Sequence, residues 1–114
     1  WRWLAGWLGE PGPGTAWVRA RVPLVDGEES SAWQRLALVG DSANGIAAPL
    51  DVRKWLFVNT ELTMHVHRPP VGEWIGIQAQ SVVGPSGLGT VSGLVFDEAG
   101  HTGRVTQGLV VRPR

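Results

Sequence analysis

The chain has 114 residues, which is enough for one domain with a hydrophobic core. Hydrophobic residues make up 43% and charged residues 18% of the chain, a composition that excludes a disordered, highly charged protein. Ten basic residues balance ten acidic ones, so no net charge favours nucleic acid or a membrane surface. The absence of Cys excludes disulfides, thiolate nucleophiles and Cys-ligated zinc. No apolar run approaches the roughly 20 residues that cross a bilayer and no signal peptide is recognisable, so we expect a cytoplasmic protein without a membrane span.

Residues 1–14 are predicted to form an apolar segment followed by a Pro/Gly linker. The apolar side chains are Trp1, Trp3, Leu4, Trp7 and Leu8, and the run from Pro11 to Gly14 is typical of a turn or linker. Three Trp within seven residues are too apolar for a free tail, so we expect another part of the protein to cover them. Residues 15–114 are predicted to form a single domain.

The domain is predicted to begin with a strand and a helix. From Thr15 to Pro23, apolar residues alternate with Trp and Arg, which is typical of a strand with one solvated face. The sequence from Asp26 to Ser31 supplies a turn and an N-cap, and the helical spacing of apolar residues then predicts a helix from Ala32 to about Ala43. Asn44-Gly45 is a suitable helix end.

The remainder of the chain is predicted to form antiparallel strands. The longest run follows Trp55 and has a period of two, with Leu56, Val58, Thr60, Leu62, Met64 and Val66 on one side and Asn59, Glu61, Thr63, His65 and His67 on the other. Further strands are expected over Glu73–Gly84, Gly87–Asp97 and Gly103–Arg112, with a hairpin turn at Asp97–Gly100. One long helix packed across a curved antiparallel sheet of about five strands makes this an α+β fold.

Two polar residues interrupt the apolar faces of these strands. Ser81 shares a face with Ile77 and Ala79, and Gln107 lies between Val105 and Leu109. A polar group among apolar neighbours must find a hydrogen-bond partner or destabilise the fold. Each residue is therefore a candidate for an internal polar site, the alternative being a hydrogen bond to a nearby backbone group.

Three segments resemble a known family when their order and spacing are considered together. They are N-T-E-L-T-M-H-V-H-R-P-P-V-G-E-W at residues 59–74, D-E-A-G-H-T-G-R-V-T-Q-G-L-V-V at residues 97–111 and L-V-G-D-S-A-N-G-I at residues 38–46. They resemble the C-terminal lobe of acyl-CoA thioesterases of the double-hotdog type, over roughly residues 15–114. The resemblance implies a hotdog fold and hydrolysis of an acyl thioester by water.

The resemblance also implies particular site residues. Glu61 takes the place of an acidic water activator, which is usually Asp in the family, while Ser81 and Gln107 take the places of the hydroxyl and amide that hold the water. Asp41, Asn44 and Asn59 are expected to contact the substrate. Strict alternation places Glu61 on the polar side of its strand, so a bulge or a covering partner lobe is needed to bring the three catalytic candidates together.

We expect neither a metal nor a cofactor. His65 and His67 share a strand face, but no third ligand stands at a diagnostic spacing, and a solvated strand face accounts for both. The expected partners are an acyl-CoA or another acyl thioester and a second hotdog lobe, either an N-terminal half or another copy in an oligomer. The alternative function is a non-catalytic acyl-binding or structural lobe of a larger thioesterase-like assembly.

Overall fold

A computed structural model describes residues 1–114 as one antiparallel sheet with two helices on one face. The elements in chain order are β1 Arg2–Ala5, β2 Gly14–Val18, α1 Ala32–Asp41, α2 Ala43–Ile46, β3 Trp55–Val66, β4 Ile75–Val83, β5 Leu88–Asp97 and β6 Gly100–Pro113. The strand order across the sheet is β1-β2-β4-β5-β6-β3. We call the face covered by the helices the inner face and the opposite one the outer face. No helix is long and apolar enough to cross a membrane.

The sheet has six strands instead of the predicted five, because the N-terminal segment contributes β1. β1 pairs with β2 through Arg2 opposite Trp17 and Trp3 opposite Ala16. The indole ring of Trp3 stacks on that of Trp1, with centroids 5.7 Å apart, and lies tilted against that of Trp7, with centroids 5.6 Å apart. Trp1 and Trp7 remain at least half exposed, so this chain alone does not cover the apolar N-terminal side chains.

The helical region begins at the predicted residue but continues past the predicted end. Ser31 caps α1 in a capping box, because its hydroxyl accepts a hydrogen bond from the Gln34 backbone N–H while the Gln34 side chain accepts one from the Ser31 N–H. The helix breaks at Ser42, whose hydroxyl donates to the Leu38 carbonyl, and one further turn, α2, runs to Ile46. Asn44-Gly45 therefore lies inside α2 and does not end the helical region.

The hydrophobic core lies between the helices and the inner face. Its buried side chains come from α1, α2, the residue after α2 and four of the six strands; they are Ala16, Val18, Leu36, Val39, Ala43, Ile46, Ala47, Ile75, Ile77, Ala79, Val91, Val95, Val105, Leu109 and Val111. α2 lies directly on β2, since a Cβ added to Gly14 would overlap the carbonyl group of Ile46. Contact this close fixes the helical layer on the sheet.

A bulge in β3 changes which residues face inward. Asn59 lies opposite Leu109 and Glu61 lies opposite Gly108, so Thr60 is an extra residue without a partner on β6. Before the bulge the inward side chains include Asn59, whereas Val58 faces outward and is 58% exposed. The predicted unbroken alternation along β3 is therefore wrong, because the extra residue moves the following side chains to the opposite face.

A buried carboxylate joins the loop after β3 to the turn between β5 and β6. Asp97 is 2% exposed and accepts two hydrogen bonds from the Arg68 guanidinium, at 2.6 and 2.7 Å. It also accepts from the backbone N–H groups of Val71, Ala99 and Gly100, at 2.8, 2.8 and 3.1 Å. The bonds from Arg68, reinforced by those from the backbone, hold the pKa of Asp97 well below its usual range.

Candidate functional site

Two polar side chains of the sheet contact the last residue of α1 on the inner face. Asp41 is the last residue of α1, Asn59 lies in β3 beside the bulge, and Gln107 lies in the middle of β6. The Asn59 amide donates to a carboxylate oxygen of Asp41 at 3.4 Å, and the Gln107 amide donates to the backbone carbonyl of Asp41 at 3.3 Å. We call Asp41, Asn59 and Gln107 the inner polar cluster.

Gln107 is the most buried member of this cluster. Its side chain is 2% exposed and lies within the row of apolar inward-facing residues on β6, as the alternation predicts. The Asp41 carbonyl can only accept, so the Gln107 amide nitrogen points toward it and the amide oxygen points away. That oxygen is buried and receives no hydrogen bond from any protein donor. A buried acceptor in this state is suited to a hydrogen bond from a bound molecule.

Ser81 shares the inner face with Gln107 but not its contacts. Ser81 lies opposite Val91, which in turn lies opposite Gln107, so two strand spacings of about 4.8 Å separate the two backbones. The Ser81 hydroxyl donates to the backbone carbonyl of Ala47, just beyond α2. The resemblance, shifted by one residue, would place Val82 at the hydroxyl position and leave no hydroxyl there. Val82 faces outward and is exposed, whereas Ser81 faces inward.

Glu61 lies on the outer face, where it stabilises the bulge in β3. One of its carboxylate oxygens accepts from the Gly108 N–H at 2.7 Å, and the other accepts from the Thr63 hydroxyl at 2.8 Å. Because the sheet lies between Glu61 and Gln107, the structure does not bring Glu61, Ser81 and Gln107 together. The bulge that Glu61 stabilises instead turns Asn59 inward, toward Asp41.

The remaining candidates, Asn44, His65 and His67, do not belong to the inner polar cluster. Asn44 lies in α2, half-buried, and its side chain makes no hydrogen bond. His65 and His67 lie at the outer edge of the sheet, where the ring of His67 is 5.1 Å from that of His101. No group of three or more His, Asp or Glu side chains is arranged to hold a metal ion.

Replacing Glu61 tests its contribution to the bulge. We expect Glu61→Ala to lower the free energy of unfolding by about 0.5–1 kcal/mol, because the exposed Gly108 N–H loses its carboxylate partner. Glu61→Gln keeps an oxygen acceptor and should retain most of the stability. Urea unfolding of the two variants measures the difference, and an Ala variant as stable as the Gln variant would contradict this role.

The inner polar cluster has the groups needed to hold a water molecule. The Asp41 carboxylate is exposed and can accept a proton, and the buried Gln107 oxygen is an acceptor without a protein donor. Asn59 contacts the carboxylate through one long hydrogen bond. All three residues are candidates from the sequence, Gln107 as catalytic and Asp41 and Asn59 as substrate-binding, and the acidic role that the resemblance gives to Glu61 stays a prediction.

Comparison with known proteins agrees with this architecture. The sequence model described as "Acyl-CoA thioesterase C-terminal domain" matches residues 2–111. A solved thioesterase family protein from Silicibacter pomeroyi is similar, with a TM-score of 0.67 and 20% identity over 91% of this chain and 80% of that protein. No curated protein is significantly similar in sequence.

Two longer mycobacterial structures are also similar. The tesB protein of Mycobacterium avium subsp. paratuberculosis has a TM-score of 0.69 and 16% identity over 98% of this chain, and acyl-CoA thioesterase II TesB2 of Mycobacterium marinum has 0.63 and 18% over 97%. The chain spans 46% and 45% of their lengths. At these identities the likeness concerns the fold, and it confirms the predicted α+β hotdog arrangement.

Proposed function

Because the chain belongs to the family of acyl-CoA thioesterase C-terminal domains, we propose that it hydrolyses acyl-CoA thioesters by direct attack of water. The proposal does not require a covalent nucleophile, a metal or a cofactor. A part in fatty acid metabolism in the cytoplasm belongs to the same proposal.

The observation that carries the proposal is the buried Gln107 amide. Its nitrogen is bound to the Asp41 carbonyl, which leaves its oxygen free to accept a hydrogen bond from the attacking water. The Asp41 carboxylate then takes a proton from that water as the water oxygen bonds to the thioester carbonyl carbon. Collapse of the tetrahedral intermediate breaks the carbon–sulfur bond, and the protonated Asp41 carboxyl returns its proton to the departing thiolate. In this scheme Glu61 acts as a positioning residue through the bulge.

A second lobe is part of the proposal, because the inner polar cluster lies at an open side of the domain. Asp41 is exposed, and β3 forms a free edge of the sheet beside Asn59. The second lobe would be an N-terminal half of a longer chain or another copy of this one. The acyl chain would lie along the junction, and Ser81 and Asn44 would contact the substrate near α2.

A non-catalytic acyl-binding or structural lobe is the second candidate function. It is favoured by the state of two predicted catalytic groups, since the Glu61 carboxylate holds the bulge and the Ser81 hydroxyl is bound to a backbone carbonyl. On this alternative the fold is retained and the chemistry is absent. The first candidate predicts hydrolysis of acyl-CoA that depends on Gln107 and Asp41, whereas the second predicts binding without hydrolysis.

The test is hydrolysis of a medium-chain and a long-chain acyl-CoA. We expect Gln107→Met, which keeps the side-chain length and removes the amide, and Asp41→Asn, which removes the base, each to lower kcat/KM by about 10²-fold. Gln80→Met is the matched control, because Gln80 is an exposed Gln on β4 and should leave turnover unchanged. Glu61→Gln should also remain active, since it keeps the bulge acceptor.

Two results would overturn the proposal in different ways. Full loss of turnover in Glu61→Gln with normal stability would assign the base to Glu61. Measurable binding of acyl-CoA without turnover, in the presence of any second lobe that the chain normally has, would establish the non-catalytic candidate.

A further inference from the structure

An apolar row crosses the outer face of the sheet near the β3 edge. Leu88 lies opposite Val110, and Val110 lies opposite Val58, so the three side chains follow one another across β5, β6 and β3. They are 63%, 43% and 58% exposed, respectively. Val82 on β4, 66% exposed, lies diagonally beside Leu88. Contiguous exposed apolar surface on the order of a few hundred Å² often marks an interaction site.

Two residues of opposite charge flank this row. Along β6, Arg112 lies two residues to one side of Val110, and Gly108 lies two residues to the other, so each is about 7 Å away. The Glu61 carboxylate lies at Gly108, whose N–H it accepts. Neither Glu61 nor Arg112 forms an ion pair within the chain. The row therefore has a negative charge on one side and a positive charge on the other.

The outer face is self-complementary when two copies are related by a two-fold axis. Consider two copies whose outer faces pack together, with a two-fold axis between them that runs along the Leu88–Val110–Val58 row. The axis reverses the strand direction, so Arg112 of each copy comes opposite the Glu61 side of the other, while the apolar rows meet each other. Aligned packing of two sheets about 10 Å apart is a common geometry for such faces.

We propose that this surface is a symmetric interface between two copies of the chain, centred on Val110 and closed by two Glu61–Arg112 ion pairs. Small polar residues surround the row, including Thr90 and Thr106, and they allow flat sheets to approach. The interface uses the outer face only. It leaves the helices and the β3 edge free for a second lobe, and it does not depend on the proposed hydrolysis.

Sedimentation of the 114-residue chain over a range of concentrations tests the interface. The unmodified chain should reach a dimer. Val110→Glu should raise the dimer dissociation constant by at least 100-fold, because a residue on the axis faces its own copy and two carboxylates would then meet. Arg104→Glu is the matched control, since Arg104 is an exposed residue of β6 beyond the apolar row and should change nothing.

Reversing the charge of Arg112 distinguishes this interface from association through another surface. Arg112→Glu should weaken the dimer about tenfold, because it places two acidic groups opposite each other. Combining it with Glu61→Gln, which removes the second acidic charge but keeps an acceptor for the Gly108 N–H, should return the dissociation constant to within about threefold of that of the unmodified chain. A monomer at all concentrations, a dimer that is insensitive to Val110→Glu in a variant shown by circular dichroism to be folded, or a failure of the double variant to recover would each overturn the proposal.

Discussion

An Asp97→Asn variant is expected to lose about 2–3 kcal/mol of free energy of unfolding. The carboxylate is buried and accepts five hydrogen bonds, two of them from Arg68. The amide presents one acceptor oxygen and directs its NH₂ group at donors, so several of these bonds fail together and the guanidinium loses its counter-charge. Urea unfolding at neutral pH measures the loss.

The same carboxylate should make stability depend on acidic pH. The pKa of Asp97 is lower in the folded chain than the roughly 3.9 of an unfolded one, so its contribution is complete above that value and is lost as the pH falls toward the folded pKa. The unmodified chain should therefore lose stability between about pH 5 and pH 2, and Asp97→Asn should lack this part of the dependence.

Asp51→Asn provides the control for this experiment. Asp51 also pairs with an Arg, Arg53, at 3.1 Å, but the guanidinium is 86% exposed. Solvent screens such a pair, so removing the charge should change stability little. Equal losses in the Asp51 and Asp97 variants would show that burial of the Asp97 carboxylate has no special effect.

Gly14→Ala is expected to destabilise the fold by about 3 kcal/mol. The added methyl group would overlap the backbone carbonyl of Ile46, and neither α2 nor β2 can move without disturbing the core. Because the obstacle is a backbone group, no change of rotamer relieves it. A lower urea midpoint with an unchanged m-value would report this loss.

Gly84→Ala separates the steric effect from the general cost of replacing a glycine. A Cβ at Gly84 would come no closer than 3.6 Å to its nearest neighbour, the Leu88 carbonyl oxygen, which is ordinary contact. The Gly84→Ala variant should have a free energy of unfolding close to that of the unmodified chain. Tolerance of Ala at both positions would contradict the close contact between α2 and β2.

Most of the fold could be predicted because the local signals agree with the tertiary structure. The N-cap signal that ends at Ser31 predicts the start of α1, and the alternation of apolar and polar residues predicts the strands that follow Pro70. β1 was not predicted, because four residues among Trp and Gly carry no period of two. Its pairing depends on β2, which follows only after the Pro/Gly run.

The candidate site was harder to predict because it depends on the face to which each side chain of β3 points. Residues 55–58, W-L-F-V, are all apolar, so they carry no information about which of them face inward. Residues 59–61 are all polar, so the pattern does not show that one of them is an extra, bulged residue. Gln107, by contrast, lies among apolar neighbours that keep strict alternation, and its inward position could be predicted from the sequence.

The bulge at Thr60 divides β3 into two parts in which opposite sets of alternate residues face the interior. Residues on its N-terminal side contribute Asn59 to the interior and Val58 to the exterior, while residues on its C-terminal side keep the opposite parity. A loss or gain of a single codon at this point would exchange the interior and exterior roles of half the strand. Length variation among relatives should therefore be rarer at this position than in the loops, even though Thr60 itself is exposed.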